Sequence, residues 1–142
     1  MFQVDFDPTK LSYEELLRQI WANRRGGRSS SRQYMEVVFC MNAGQEAAAR
    51  QLGISAPIIT GARFYLAEDY HQKYYLRHDR TLIAELADCG PRELRESTVA
   101  ARLNGYVAGR GTLAQLHDEL PDLGLSAAAA THLERLVASR AR

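Results

Sequence analysis

The amino-acid usage changes about halfway along this chain of 142 residues. Six of the seven tyrosines, all four phenylalanines and Trp21 fall within residues 1–80, whereas Ala, Leu, Arg and Glu dominate from Thr81 onward. Aromatic and β-branched residues favour strands, and the second set of residues favours short packed helices. The change therefore predicts two parts, residues 1–80 and an α-helical C-terminal extension over residues 81–142.

Hydrophobic patterns in the first part predict strands that alternate with helices. The predicted strands are Val4–Phe6, Tyr34–Met41 and Pro57–Thr60. The predicted helices are Ser12–Asn23, Asn42–Leu52 and Ala67–Leu76. Residues 24–32 contain only Arg, Gly and Ser, so they predict a solvated loop. The expected fold class is α+β, with a partial sheet and flanking helices in an α/β-type layer.

The second part predicts packed helices separated by Gly and Pro. These helices are predicted at about Thr81–Ala87, Ser97–Gly109, Thr112–Leu120 and Ser126–Ala138. Ser126 is the expected N-cap of the last helix, because a serine hydroxyl accepts from the first free N–H groups.

The charges nearly cancel, which constrains the partners. Eighteen Lys and Arg stand against seventeen Asp and Glu, for a net charge of +1. A chain with so little net charge has no general attraction for nucleic acid or anionic membrane, so neither is an expected partner. No apolar run has the length of a membrane span, and Met1–Asp5 lacks the pattern of a secretory signal. The expected location is the cytoplasm.

The two cysteines, Cys40 and Cys89, lie far apart in the sequence. Neither belongs to a Cys-x-x-Cys or Cys/His pattern, so no metal site and no disulfide scaffold is expected. The simplest interpretation of each thiol is a small buried apolar side chain.

Three sequence blocks carry a resemblance to a known family. They are Phe6-Asp7-Pro8 with Leu11-Ser12-Tyr13-Glu14-Glu15-Leu16-Leu17, then Ser31-Arg32-Gln33-Tyr34, and then Phe64-Tyr65-Leu66-Ala67-Glu68-Asp69-Tyr70-His71-Gln72-Lys73-Tyr74. In order and spacing the blocks resemble the A-type peptide methionine sulfoxide reductases over about residues 2–78. The Ala-Glu-Asp-Tyr-His-Gln run is the most specific block. Residues 81–142 have no counterpart in that family's minimal catalytic domain.

The resemblance implies an α+β fold and thiol-dependent reduction of methionine S-sulfoxide, free or in peptides. A cysteine sulfenic acid forms and is resolved by other thiols and thioredoxin, so the only expected cofactor is such a thiol reductant. The reaction also needs a hydrogen-bond donor to the sulfoxide oxygen. Tyr34 matches a tyrosine in that role, and Ser29 stands where the family has an aspartate.

Glu68, Asp69 and His71 belong to the most specific block and are candidate substrate-binding residues. The structural alternative for the two carboxylates is helix capping in the first turn. The structural alternative for His71 is a hydrogen-bonded packing residue.

The family's nucleophile lies in a Gly-Cys-Phe-Trp segment that this sequence does not contain. Cys40 shares a predicted strand with Tyr34, but six residues at ~3.3 Å each separate them by roughly 20 Å. Cys89 follows the Ala67–Leu76 stretch, in a region where family members often carry recycling cysteines, and is the candidate redox thiol.

Two hypotheses follow from the missing segment. In the first, the reductase activity is retained because an N-terminal half is supplied elsewhere or precedes the assigned start. In the second, the chain is a non-catalytic pseudoenzyme that acts as an interaction or oligomerisation module. A partial sheet leaves an unpaired edge, so a homo-oligomer or a protein partner covering that edge is expected.

Overall fold

The computed structural model describes residues 3–23 and 35–140. The chain divides into two compact units, Met1–Tyr65 and Leu66–Arg142. The boundary predicted near residue 80 stays a prediction about domains, because a compact unit and a family's domain need not end at the same residue.

The first unit contains a helix, a strand, a second helix and a second strand. These are α1 (Tyr13–Asn23), β1 (Val38–Cys40), α2 (Ala43–Gln51) and β2 (Ile58–Thr60). The strands pair in parallel, with Val38 opposite Ile58 and Cys40 opposite Thr60. Parallel pairing requires a crossover, which α2 provides. The helices predicted at Ser12–Asn23 and Asn42–Leu52 and the two later strands are confirmed, with shorter strands than the sequence indicated.

Local capping explains where these helices begin. The Ser12 hydroxyl accepts from the Glu15 N–H at 3.2 Å, and Asn42 Oδ1 accepts from the Gln45 N–H at 2.9 Å. Each bond satisfies one of the N–H groups that a helix leaves free at its start. The buried cluster of the unit comprises Leu17, Val38, Cys40 and Ala49.

The strand predicted at Val4–Phe6 is wrong, because residues 3–7 adopt no regular secondary structure. Asp7 instead begins a turn, in which its Oδ1 accepts from the Thr9 N–H at 2.9 Å and from the Thr9 hydroxyl at 2.7 Å. An alternating pattern forms a strand only where a neighbouring strand pairs with it. In the described residues, the paired strands are β1 and β2.

The second unit is helical. Its helices are α3 (Tyr74–Arg77), α4 (Arg80–Ala84), α5 (Pro91–Glu96), α6 (Thr98–Val107), α7 (Leu113–Glu119) and α8 (Ala127–Arg140), and short 3₁₀ turns occur at Asp69–His71 and Leu120–Leu123. All four predicted tail helices are present, and Ser126 accepts from the Ala129 N–H as expected. The sequence analysis predicted no helix over Pro91–Glu96, although proline suits the first position of a helix, which Pro91 occupies.

The long helix predicted at Ala67–Leu76 is also wrong. The 3₁₀ turn at Asp69–His71 and the four-residue α3 replace it, and between them Lys73 takes the left-handed conformation with φ 53°. A helix in a protein gains most of its stability by packing one apolar face. Of this stretch, Leu76 is fully buried, whereas Tyr70, Tyr74 and Tyr75 are exposed, so such a face is lacking. The fold class itself is confirmed as α+β.

Candidate functional site

The segment from Leu66 to His78, here called the motif segment, carries three of the predicted site residues. Glu68 precedes the 3₁₀ turn, and Asp69 and His71 form its ends. The His71 N–H donates to the Glu68 carbonyl at 2.9 Å, and the Gln72 N–H donates to the Asp69 carbonyl at 3.1 Å. The three residues therefore lie on a single backbone turn, and all three are exposed to solvent.

Two contacts between a tyrosine ring and a histidine ring lie along the motif segment. The rings of Tyr70 and His71 lie 4.2 Å apart between centroids, and those of Tyr74 and His78 lie 4.3 Å apart. The Tyr70 side chain is 63% exposed, although it carries a large apolar surface. Carboxylates, imidazoles and tyrosine rings on one exposed segment can donate and accept hydrogen bonds and can contact an apolar methyl or thioether group.

The motif segment is attached to the helices that follow it. The side chain of Leu76 belongs to the buried cluster of the second unit. Asn104 Oδ1 on α6 accepts from the Leu76 N–H at 3.1 Å, and Lys73 Nζ donates to the Arg95 carbonyl at 3.1 Å. Burial of its ammonium group lowers the pKa of Lys73.

Two bonds within the motif segment close its turn. Arg77 Nε donates to the Gln72 carbonyl at 2.8 Å, and Gln72 Nε2 donates to the Ala67 carbonyl at 3.2 Å. These bonds fix the backbone on both sides of the reversal at Lys73. The conformation of Glu68, Asp69 and His71 therefore depends on a turn rather than on a regular helix.

Cys89 lies in the second unit, between α4 and α5. Its N–H donates to the Leu86 carbonyl at 3.0 Å, and its half-buried side chain packs against the helical core. A thiol in this position retains partial access to solvent, which a redox reaction with a dissolved partner requires.

Cys40 lies in a different environment. Its side chain is 1% exposed in the core of the first unit, and its Sγ lies 3.7 Å from the Tyr13 hydroxyl. Burial, and then the interaction with Cys40, raises the pKa of Tyr13, so this hydroxyl stays protonated. The interpretation of Cys40 as a small buried apolar residue fits this geometry.

Tyr34 and Ser29 lie outside the described residues. The sequence analysis also missed Lys73 and Asn104, which hold the motif segment. Asn104 had a recognisable signal: it follows Ala100 and Leu103 and precedes Val107 at helical spacing, so it is a polar residue on the apolar face of α6. Lys73 had no such signal, because a left-handed conformation at lysine is uncommon.

No group of three or more His, Cys, Asp or Glu side chains is placed to hold a metal ion within residues 3–23 and 35–140. In that same part of the chain, no helix is long and apolar enough to cross a membrane.

Comparisons with known proteins agree with these observations. A family model described as peptide methionine sulfoxide reductase matches residues 1–102, which extends past the last motif near residue 78. A second model, described as the helical domain of selenoprotein methionine sulfoxide reductase A, matches residues 89–131. The helical extension therefore has a counterpart of its own.

Individual relatives show the same similarity. A peptide methionine sulfoxide reductase of Drosophila melanogaster is 33% identical over 139 residues, which cover 89% of this chain and 56% of that protein. Peptide methionine sulfoxide reductase A5 of Arabidopsis thaliana is 29% identical, covering 75% of this chain and 48% of that protein. The enzyme MsrA of Deinococcus radiodurans is 37% identical, covering 51% and 44%.

The chain belongs to the peptide methionine sulfoxide reductase family. The resemblance identified from the sequence motifs is thus confirmed. The chain spans about half the length of the curated relatives it matches.

Proposed function

We propose that this chain acts in the thiol-dependent reduction of methionine S-sulfoxide in peptides, and that Cys89 is its redox thiol. The observation that carries the proposal is the match to two successive reductase models, over residues 1–102 and then over residues 89–131. The relative from Drosophila melanogaster, which is named as a peptide methionine sulfoxide reductase, aligns over 89% of this chain.

Exposure supports Cys89 over Cys40 as the redox thiol. Cys40 is enclosed in the core of the first unit, so a sulfoxide cannot reach its sulfur without unfolding. Cys89 is half-buried at the surface of the helical unit. The reactive form of cysteine is the thiolate, and it must meet the substrate sulfur directly.

The proposed reaction has two balanced stages. The Cys89 thiolate attacks the sulfoxide sulfur, the sulfoxide oxygen takes up a proton, and oxygen transfer gives methionine and a Cys89 sulfenic acid. One thiol then condenses with the sulfenic acid to give a mixed disulfide and water. A second thiol, from thioredoxin or a small dithiol, releases Cys89 and becomes oxidised.

Five further residues have proposed roles in binding. Tyr34 donates a hydrogen bond to the sulfoxide oxygen, with Ser29 as a weaker polar neighbour in place of the family's aspartate. Asp69 and His71 of the motif segment bind polar groups of the substrate, together with Glu68. No metal takes part in the proposed reaction.

A single-turnover experiment tests the proposal. The 142-residue chain is reduced, freed of reductant and mixed with an excess of a methionine-S-sulfoxide peptide. The expected result is one reduced peptide per chain, together with a mass gain of about 16 Da on Cys89. Cys89→Ser is expected to abolish both signals, whereas Cys40→Ser is expected to retain both. The R-sulfoxide peptide serves as the stereochemical control.

Two outcomes contradict the proposal. The first is a folded, fully reduced chain that yields no methionine. The second is oxygen transfer that survives in Cys89→Ser.

The proposal extends to location and assembly. The cytoplasm suits this chemistry, since thiols are kept reduced there. A homodimer or a protein partner is proposed to cover the unpaired edge of the sheet. Sedimentation of the chain at micromolar concentration measures the dimer directly, and a monomer without a partner in pull-downs contradicts that part of the proposal.

A further inference from the structure

The motif segment is too short and irregular to hold its own conformation. It consists of a 3₁₀ turn, a left-handed residue and a helix of four residues, and only Leu76 at its end is fully buried. Isolated helices of this length are unstable in water. Contacts from elsewhere in the second unit must therefore stabilise the segment.

The start of α3 has an unusual cap. A helix leaves its first N–H groups without intrahelical acceptors, and the side chain of the N-cap residue normally accepts from the second or third of them. The N-cap position of α3 is Lys73, and within the described residues its side chain makes no capping bond. The third N–H of α3, that of Leu76, instead donates to Asn104 Oδ1, which lies 28 residues further along the chain.

Lys73 makes a second attachment. Its φ of 53° lies in the left-handed region, which is strained for a residue with a side chain. Its ammonium group donates to the Arg95 carbonyl, in the last turn of α5, where carbonyls lack intrahelical partners. The lysine side chain thus offsets part of the strain of its own backbone by binding a helix end.

We propose that Asn104 is a positioning residue: by capping α3 from α6, it sets the conformation of the segment that presents Glu68, Asp69 and His71 to the sulfoxide peptide. Lys73 has the same role through α5. The inference rests on the proposed function for its substrate, and it assigns to the helical extension a task in substrate binding rather than stability alone.

The test compares two variants that each remove one cap. Asn104→Ala removes the cap of α3. Thr112→Ala removes the cap of α7, where the Thr112 hydroxyl accepts from the Gln115 N–H. Both lose a bond of the same kind, so a general loss of stability affects them similarly. Only the first variant is expected to change the motif segment.

Amide hydrogen exchange provides a readout that does not depend on activity. Exchange over residues 70–78 is expected to be about fivefold faster in Asn104→Ala and unchanged in Thr112→Ala. Asn104→Asp retains an oxygen acceptor at the same place and is expected to restore the slow exchange. Equal amide exchange rates over residues 70–78 in Asn104→Ala and Thr112→Ala overturn the proposal, whether or not the chain turns over substrate.

Steady-state kinetics test the link to the substrate. For Asn104→Ala, the KM for the methionine-S-sulfoxide peptide is expected to rise several-fold with kcat within about twofold, since binding groups are displaced and the redox thiol is not. A fall in kcat with unchanged KM contradicts this assignment. If the wild-type chain shows no turnover, the proposed function fails, while the exchange data still decide whether Asn104 positions the segment.

Discussion

The two compact units differ sharply in how much apolar surface they bury. Among the described residues, the buried cluster of the helical unit has twelve members, whereas that of the first unit has four. Full burial of a large aliphatic side chain contributes roughly 1.5–3 kcal/mol, so the helical unit holds most of the hydrophobic stabilisation. The motif segment belongs to this better-packed unit.

The sheet of the first unit shows the contrast most clearly. Val38 and Cys40 face the core, whereas the register partners Phe39 and Ile59 are both partly exposed on the opposite face. Parallel sheets are usually covered on both faces. Among the described residues, the strands are therefore less protected from solvent than the helices, and the packed helices of the second unit contribute most of the stability.

Leu103→Ala is expected to have the largest effect. Leu103 is fully buried in the helical core, and its truncation leaves a cavity that costs about 3 kcal/mol. Far-UV circular dichroism follows mainly the helical unit, and fluorescence of Trp21, the single tryptophan, follows the first unit. For Leu103→Ala, the denaturation midpoint is expected to shift more by dichroism than by fluorescence. Leu17→Ala is expected to shift the fluorescence midpoint more. Equal shifts by both probes in both variants would contradict the difference between the two units.

The second largest loss of stability is expected from Gly111→Ala. Gly111 has φ 93°, and a Cβ there would lie 2.7 Å from Cε1 of the Tyr106 ring. The combined backbone strain and clash are expected to cost about 2–3 kcal/mol. Gly53 in the first unit has φ 64° with nothing near its Cβ position, so Gly53→Ala is expected to cost only about 1 kcal/mol. Urea unfolding of both variants checks the difference, and a costlier Gly53→Ala would contradict it.

The next prediction concerns Asp79 and pH. Burial raises the pKa of Asp79, but hydrogen bonds from His132 and from the Leu82 and Thr81 N–H groups outweigh burial and hold the pKa below its usual value. The ionised Asp79 carboxylate therefore stabilises the fold fully at pH values above its pKa in the unfolded chain, about 3.9. This stabilisation is lost as the pH falls through the lower pKa of Asp79 in the folded chain.

Asp79→Asn keeps an oxygen acceptor for the N–H groups of α4 but removes the charge. The variant is therefore expected to lose less stability than the wild type as the pH falls, and to have an unfolding free energy lower by about 1 kcal/mol at neutral pH. Unfolding free energies measured between pH 3 and pH 6 provide the check. Asp7→Asn is the matched control in the first unit. Its pKa is also lowered, by Thr9, but its carboxylate is fully exposed, so a smaller change is expected. If Asp79→Asn loses stability with falling pH as steeply as the wild type, the stabilising role of the Asp79 carboxylate is contradicted.

The smallest effects are expected from exposed ion pairs. Arg92 and Glu96 lie one helical turn apart with 3.1 Å between Nε and Oε1, and both side chains are largely exposed. Exposed pairs of this kind contribute roughly 0.3–0.5 kcal/mol. In the first unit, Arg50 and Glu46 on α2 form an ion pair of the same i,i+4 spacing, with 2.8 Å between Nη2 and Oε1. Arg92→Ala and Arg50→Ala are therefore expected to give similar small shifts in thermal midpoint. A large shift in either variant would show that its pair is more than a surface contact.

Periodicity and the capping residue Ser126 predicted most of the helices, because such signals act within a few residues of their own positions. The same local patterns gave a wrong prediction at Val4–Phe6, where no strand within residues 3–23 and 35–140 pairs with the pattern, and at Ala67–Leu76, where the tyrosines are exposed. The outcome at each of these places is decided by residues distant in sequence.

For the candidate site, the sequence predicted the motif but not its conformation. The Ala-Glu-Asp-Tyr-His-Gln run was recognisable as a family motif, and the family is confirmed. Its conformation was not predictable, since the bonds that hold it come from Asn104 and from the Arg95 carbonyl. The assignments of Tyr34, Ser29 and Cys89 stay predictions.

The cap of α3 also has a consequence for biosynthesis. The acceptor for the Leu76 N–H is encoded 28 residues downstream, so it leaves the ribosome after the motif segment has already emerged. At translation rates of roughly 5–20 residues per second, Asn104 is synthesised between about one and six seconds after Leu76. During that interval its tyrosines and Leu76 are accessible to chaperones, and the segment matures only once α6 has been synthesised.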